Sequence, residues 1–411
     1  MTDPGAGGSR RDFLRWSTGA AALAAAGPVI AGAPDPGGKV AADAGGEFQL
    51  DPRLAYLNCA SLGPSPIVVT DAIKAAMDRV ERNPAAEGFG PMLREADRAR
   101  ELTAELMGCD TDEIAITRNT TEGMNLIATG LGLKRHDRVL TTDHEHAGGS
   151  IGWQHVARRQ GIKIDQVKLP IGGDDADEIV RLFRRAIKKA TRVISVSHVT
   201  YTTGLRLPVA RLAELAHGSG CVLVVDGAQA VGGMDVVVRG LDCDAYATSG
   251  HKWLLGPKGT GLLYIRKPLQ ERMKAVTLEG GMGVYTASTG TRNLANMLGL
   301  AAALAWSARH GRKRMYAHIM GLRRRAETGL RDVRGLRIFS PPSDSALASG
   351  VLCVGLPNGV GRQAVHDRLA DQYQIVVRVV DHAPGGLRIA PHVYNTEDDV
   401  DRLVAALREL V

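Results

Sequence analysis

From Glu113 to Ile265 the chain alternates short apolar runs with longer amphipathic stretches, a pattern that confines it to a largely parallel sheet covered by helices. The runs are EIAIT at 113, RVLTT at 138, IKIDQV at 162, RVISVS at 192, CVLVVD at 221, DAYATS at 244 and GLLYI at 261. Helical periodicity fills the gaps near 121–132, 148–160, 174–190 and 208–218. Thr117, Thr142, Ser197, Asp226 and Ser249 each stand where an apolar run stops. In a parallel sheet such endings gather at the carboxyl edge, the place where α/β proteins bind ligands.

Two helical stretches precede the sheet, at 66–82 with Pro66 at its start and at 91–108 opening on Pro91. Near residue 291 the pattern changes. A long helical stretch from Thr291 to Arg309 leads to a very basic one, then to short strands near 336–339, 349–355 and 374–380, and to a last helix from Glu397. A chain of 411 residues has room for two cores. The expected fold class is α/β, with a large domain at 66–295 built on a mostly parallel sheet and a smaller α+β domain at 296–411. Residues 49–65 form an N-terminal segment ahead of them.

The start of the chain reads differently. Arg10 and Arg11 precede Phe13, Leu14 and a small-residue apolar run from Gly19 to Ala33, a pattern similar to a twin-arginine export signal. A disordered basic leader is the alternative. Ala31, Gly32 and Ala33 offer a cleavage site, and 34–48 is a linker rich in Ala, Gly, Pro and Asp. The expectation is a periplasmic or secreted protein that meets the twin-arginine machinery and has no membrane segment once mature. Because that route carries folded proteins, a cofactor can be loaded before export.

Charge and cysteine content exclude other classes. The 51 Lys and Arg against 44 Asp and Glu leave only +7, and the RKR at 312 and RRR at 323 lack aromatics suited to stacking on bases. That stretch is expected to be a solvated helical face and not a nucleic-acid site. Five cysteines, at 59, 109, 221, 243 and 353, are scattered and never in a C-x-x-C pair, so neither a disulfide framework nor a thiolate metal site is expected.

Lys252 follows directly on the run that ends at Ser249 and is trailed by GPKGTG at 256–261. A lysine there is a phosphate anchor, an amine nucleophile, or an ordinary solvated residue. Asp226 closes a buried strand, where a carboxylate needs a cationic partner unless it merely caps a turn. A pyridinium nitrogen would supply that charge. Gln229, three residues on, can donate to a phenolate oxygen, and Ala228 is small enough for a ring to lie flat. Thr120 and Thr121 open a helix in RNTTEG and, with Ser249 and His251, can cradle a phosphate. Alone they equal a capping box, in which neither Glu122 nor Glu145 has a fixed role.

RNTTEGMN, TTDHEH, SHVTYTTG, VVDGAQAVGG, SGHKWLLGPKGTG, GTRN and YNTEDDVDRL occur in one order and spacing from about Tyr56 to the C-terminus. In this the chain resembles the class V aminotransferase family, the group that includes cysteine desulfurases and isopenicillin N epimerase. The resemblance implies the PLP-dependent transferase fold of type I, with pyridoxal 5'-phosphate held as a Schiff base by Lys252. It implies Asp226 at the pyridine nitrogen, Gln229 at the phenolate, and His146 over the ring face. Thr120, Thr121, Ser249 and His251 would hold the phosphate, with Thr291 reaching the phosphate of the partner subunit in a homodimer with shared active sites. Arg388 would clamp the carboxylate of an amino-acid substrate, a two-point fit suited to a guanidinium, though taken alone it would be a surface residue. Asn58, in YLNCASLG, belongs to the substrate-facing N-terminal segment. Lys252, His146 and Asp226 are the expected catalytic residues.

All reactions of such an enzyme begin with loss of the Cα proton, for which Lys252 is the natural base. Epimerisation, transamination and β-elimination diverge afterwards. The segment RVVDHAPGGLR, 378–388, lacks the cysteine a desulfurase needs there, and Cys59 is the one other candidate. YLNCASLG and GLRLPVARL point to an epimerase-like or C–S lyase-like member. The leading expectation is an epimerase-like or aminotransferase-like enzyme. C–S lyase or desulfurase activity is the alternative, and a pyridoxal phosphate-binding protein without turnover a second one.

Overall fold

A computed structural model describes residues 45–411; the export signal, its cleavage site and most of the linker lie outside the described residues. Seven strands form the large sheet: β1 (Ile114–Thr117), β2 (Arg138–Thr142), β3 (Lys163–Val167), β4 (Thr191–Ser197), β5 (Val222–Asp226), β6 (Ala245–Ser249) and β7 (Gly261–Ile265). Their order is β1-β7-β6-β5-β4-β2-β3. Only β7 runs antiparallel to its neighbours. The Gly250–Thr260 loop that precedes it contains no crossover helix, so the chain turns straight back.

Register brings the polar strand ends to one edge. Ser197 pairs with Asp226, and Thr117 and Ser249 both pair with Gly261 at the start of β7. β5, β6 and β7 are buried along their whole length, which is why they read as near-continuous apolar runs.

Helices cover both faces. One face packs against α1 (Ile67–Arg82), α2 (Pro91–Met107), α5 (Ala176–Ala186), α6 (Val209–Gly218) and α7 (Leu294–His310). The other packs Ala115, Val139, Val193, Val224 and Leu263 against Met124 and Ile127 of α3 (Thr120–Gly130) and Trp153 of α4 (Ala147–Gln160). Both α3 and α4 start at the carboxyl edge and so aim their N-termini at it.

The smaller sheet has the order β10-β11-β9-β8, all antiparallel, from β8 (Arg337–Ile338), β9 (Leu352–Gly355), β10 (Arg378–Val380) and β11 (Gly386–Ile389). Around it lie α8 (Arg312–Arg331), α9 (Arg362–Tyr373) and α10 (Glu397–Leu410). The single strand read at 374–380 is split: Ile375–Val376 pairs in parallel with Ala55–Tyr56, and only 378–380 joins the sheet. The N-terminal segment is thereby strapped to the smaller sheet.

Most arginines and lysines of the basic stretch are exposed as expected, and one arginine departs from that face. Arg323 is 0 % exposed, its guanidinium paired with Glu327 at 2.5 Å and with the Pro341 carbonyl, while Arg325 forks onto Asp401. α8 packs against α10, with Arg325–Asp401 at the exposed rim of that contact and the buried Arg323–Glu327 pair within α8 itself. Among the described residues no helix is long and apolar enough to cross a membrane, and no cluster of three acidic, His or Cys side chains is placed to hold a metal ion.

Candidate active site

A cavity of about 650 Å³ opens at the carboxyl edge, between the large sheet and the 378–388 segment. Thr120, Thr121, His146, Asp226, Gln229, Ser249, His251, Lys252 and Arg388 all line it. Thr291 does not; it lines a different cavity, of about 430 Å³, beside Arg118 and Arg292. Asn58 lies just behind the wall, its backbone bridged to Ala390 and its Oδ1 buried without a hydrogen-bond partner.

Asp226 ends β5 at 5 % exposure. Its Oδ1 accepts from the Ala228 N–H at 3.0 Å, in a turn that Gly227 alone can make, since a Cβ there would lie 1.9 Å from the Tyr246 ring. Burial raises the carboxyl pKa, while that N–H, Lys252 and His146 oppose the rise. The first turn of α4 closes onto it through Gly149, where a Cβ would stand 2.7 Å from Asp226 Oδ2. Lys252 sits in the loop after β6. Burial pulls its amine down from 10.5 to about 8, with Asp226 acting the other way and Arg388 adding to the fall.

The helix start at α3 differs in detail from the sequence reading. Asn119 is the cap, accepting from the Glu122 N–H at 2.9 Å, so Thr120 and Thr121 stand inside the first turn. Thr120 Oγ1 lies 2.6 Å from Ser249 Oγ, tying α3 to the end of β6. The free N–H groups of that turn, the two hydroxyls and the helix dipole make an anion site. His251 Nδ1 meets the Thr260 carbonyl at 3.2 Å and must therefore donate, which leaves Nε2 as the nitrogen without a proton in the neutral ring.

His146 caps α4, its Nδ1 accepting from the Gly148 N–H at 3.0 Å, so Nε2 carries the proton. Burial first, then Lys252, holds its pKa down. Gln229 is already committed on two sides: Nε2 donates to the Ala60 carbonyl at 2.9 Å and Oε1 accepts from Trp253 Nε1 at 2.8 Å. One amide proton remains for a ligand. Arg388, 4 % exposed, donates to Ser61 Oγ at 2.6 Å and to the Tyr201 carbonyl at 3.3 Å, with Nε left unpartnered. A buried guanidinium with no carboxylate beside it is held down to about 10, burial being the main cause.

Glu145 and Glu122 both hold fixed positions, contrary to the sequence reading. Glu145 accepts from Thr142 Oγ1 and Ser197 Oγ, each at 2.6 Å, and burial pushes it up to about 7 against those hydrogen bonds. Glu122 accepts from the Arg118 N–H at 2.6 Å. Ser61, Tyr201, Arg378, Asp381 and His382 also line the cavity and were not singled out by sequence. Their signal is faint: Arg378 opens the short strand β10, the other four lie in loops, and only the fold brings them to the sheet edge.

These residues fit pyridoxal 5'-phosphate. Asp226 is a buried carboxylate lacking a cation within hydrogen-bond reach, Lys252 is an amine of lowered basicity, and the α3 turn is an anion cradle. The comparisons agree. The family described as Aminotransferase class-V matches residues 55–403. The chain is 33 % identical to isopenicillin N epimerase of Streptomyces clavuligerus, covering 90 % of this chain and 98 % of that one. It is 30 % identical to a cysteine desulfurase of Escherichia coli O127:H6, covering 87 % and 93 %. Among solved structures, the apo cysteine desulfurase of Thermococcus onnurineus NA1 superposes with a TM-score of 0.79 at 27 % identity, covering 93 % of this chain and 99 % of that one. The cystine C–S lyase C-DES, in complex with its product cysteine persulfide, does so at 0.78 and 26 %, covering 87 % and 98 %. The chain belongs to the class V aminotransferase family and is a pyridoxal 5'-phosphate-dependent enzyme that acts at the Cα of an amino-acid substrate.

Proposed function

We propose that the enzyme cleaves the Cβ–S bond of a sulfur-bearing amino acid and releases the sulfur into solution, without passing it to a thiol of its own. The observation that carries this reading is the sulfur inventory of the site. None of the five cysteines lines the cavity. Cys59, the one candidate near it, is fully buried, its Sγ 3.5 Å from the Lys252 carbonyl and its thiol pushed up to about 12 by burial. A thiol so placed is not a nucleophile at neutral pH. The relatives and solved structures support the C–S-cleaving alternative better than the epimerase-like or aminotransferase-like reading that led on sequence alone.

When bound, the cofactor supplies the electron sink for charge at Cα. The chain's residues do the rest. Arg388 takes the substrate carboxylate, which fixes the rotation about the Cα bonds. The Lys252 amine, its basicity lowered by burial, takes the Cα proton and then carries the proton that the departing thiolate needs. Asp226 would pair with the ring nitrogen and keep it protonated. His146, at the start of α4, would shield the ring from water. The Asn119-capped turn of α3, with Thr120, Thr121 and Ser249, holds the phosphate.

The test is to incubate the holoenzyme with sulfur amino acids in heavy water and follow free thiol or persulfide, 2-oxo acid and Cα stereochemistry together. Equal release of sulfur, ammonia and 2-oxo acid supports the reading. Inversion at Cα without sulfur release would return the chain to the epimerase-like reading. A homodimer with Thr291 at the partner's phosphate, and export through the leader at 1–33, stand as proposals beside this one.

A further inference from the structure

Arg378 on β10 and Arg388 on β11 are register partners in an antiparallel pair. Their side chains therefore leave the same face of the smaller sheet, and both line the cavity. Like charges directly opposite on a ladder repel, and such a pair is ordinarily relieved by an acidic neighbour. Here neither arginine makes an ion pair among the described residues. Arg388 donates only to Ser61 Oγ and the Tyr201 carbonyl, and Arg378 makes no side-chain hydrogen bond. Burial is the main cause that lowers the pKa of Arg388 and of His146, and the Arg378 charge adds a smaller push in the same direction at each. Asp381, just past the end of β10, also lines the cavity but makes no ion pair with either arginine among the described residues.

The two positions differ in depth. Arg388 is buried at the floor, while Arg378 is exposed at the mouth. Arg378 therefore stands nearer solvent than Arg388 on the same cavity wall. Cross-strand partners have their Cβ atoms roughly 5 Å apart, so two such forks suit anionic groups separated by a few carbons.

We propose that Arg378 holds a second anionic group on the substrate, so that the enzyme selects amino acids carrying a carboxylate or comparable oxyanion beyond the sulfur. This rests on the reading of Arg388 as the site of the α-carboxylate. Arg378 is a specificity residue in this account, needed for neither the proton transfer nor the cofactor.

Calorimetric titration of the holoenzyme with unreactive acids separates the two assignments. Succinate and glutarate are compared with propionate and butyrate. The wild type should bind the dicarboxylates about tenfold more tightly, the range of one charge-assisted contact. Arg378→Gln should bring that ratio close to one, the loss falling on the dicarboxylates, and Arg378→Lys should restore part of it. A wild-type ratio near one, or a ratio that survives Arg378→Gln, overturns the proposal. Arg388→Gln should remove monocarboxylate binding; if it does not, the underlying reading of Arg388 fails, and the Arg378 ratio still reports separately. Turnover gives a second readout. S-carboxymethylcysteine should exceed S-ethylcysteine in kcat/KM in the wild type and lose that advantage in Arg378→Gln.

Discussion

Trp253 Nε1 donates to Gln229 Oε1 at 2.8 Å, so the residue that follows the cavity lysine fixes the amide three places after the cavity carboxylate. Both partners are buried, and Gln229 passes the constraint on to the N-terminal segment through the Ala60 carbonyl. The Lys252 loop, the end of β5 and the strap at 55–61 thus hold one another in place. Trp253→Phe keeps an aromatic ring but loses the fused five-membered ring with its N–H, which leaves Oε1 unpaired and a gap in a dry site. Stability should fall by about 1–3 kcal/mol in urea unfolding, and the cofactor absorbance band should shift as Gln229 reorients.

Gly149 is where α4 meets Asp226. Gly149→Ala should press Oδ2 out of place and weaken cofactor binding by at least about tenfold, with helix content unchanged by circular dichroism. Gly161→Ala, at the far end of the same helix, alters a backbone of φ 74° and should cost stability without touching cofactor affinity.

His251 donates through Nδ1 to Thr260, so its Nε2 can donate to a phosphate only if the ring gains a proton. Burial, followed by Lys252, lowers the free ring's pKa, so it is neutral at pH 7. An incoming dianion raises that pKa, and binding takes up a proton. Affinity should therefore be highest at low pH and fall as pH rises through the pKa of the bound ring. Calorimetry in buffers of different ionisation enthalpy should show uptake in the wild type and none at His251 in His251→Asn.

Cys59→Ala should leave sulfur release within about twofold of wild type, because a thiol at about 12 contributes no thiolate near neutrality. Alkylation trapping after incubation with cysteine or cystine should find no persulfide on the protein. Persulfide on wild type that vanishes in Cys59→Ala would place the enzyme among desulfurases.

The inner strands of the large sheet were legible in sequence because β-strands buried on both faces have little choice but to be apolar, and the polar last residues of β5 and β6 mark the ligand edge, whereas the exposed edge strand β3 showed only as a short run between two helical stretches. The smaller domain was harder. α9 buries only Val365 and Leu369, too sparse a stripe for its period to stand out, and β11 is a four-residue strand with an arginine at its centre. Arg388 could be named from the family's pattern, but its partners Ser61 and Tyr201 could not. Contacts between loops hundreds of residues apart leave no local trace. Glu145 was passed over for a similar reason: Thr142 three residues before it is a readable signal, while Ser197 reaches it only through the pairing order of β2, β4 and β5.

Covalent mapping of the cofactor tests the central claim most directly. Borohydride reduction of the holoenzyme, followed by digestion and mass spectrometry, should place a single phosphopyridoxyl group on Lys252, and the Lys252→Ala protein should fold and show none. Lys252 is the residue whose amine is drawn down to about 8 beside Asp226. Labelling of any other lysine, such as Lys258 in the same loop, or label retained in Lys252→Ala, would contradict the account of this site.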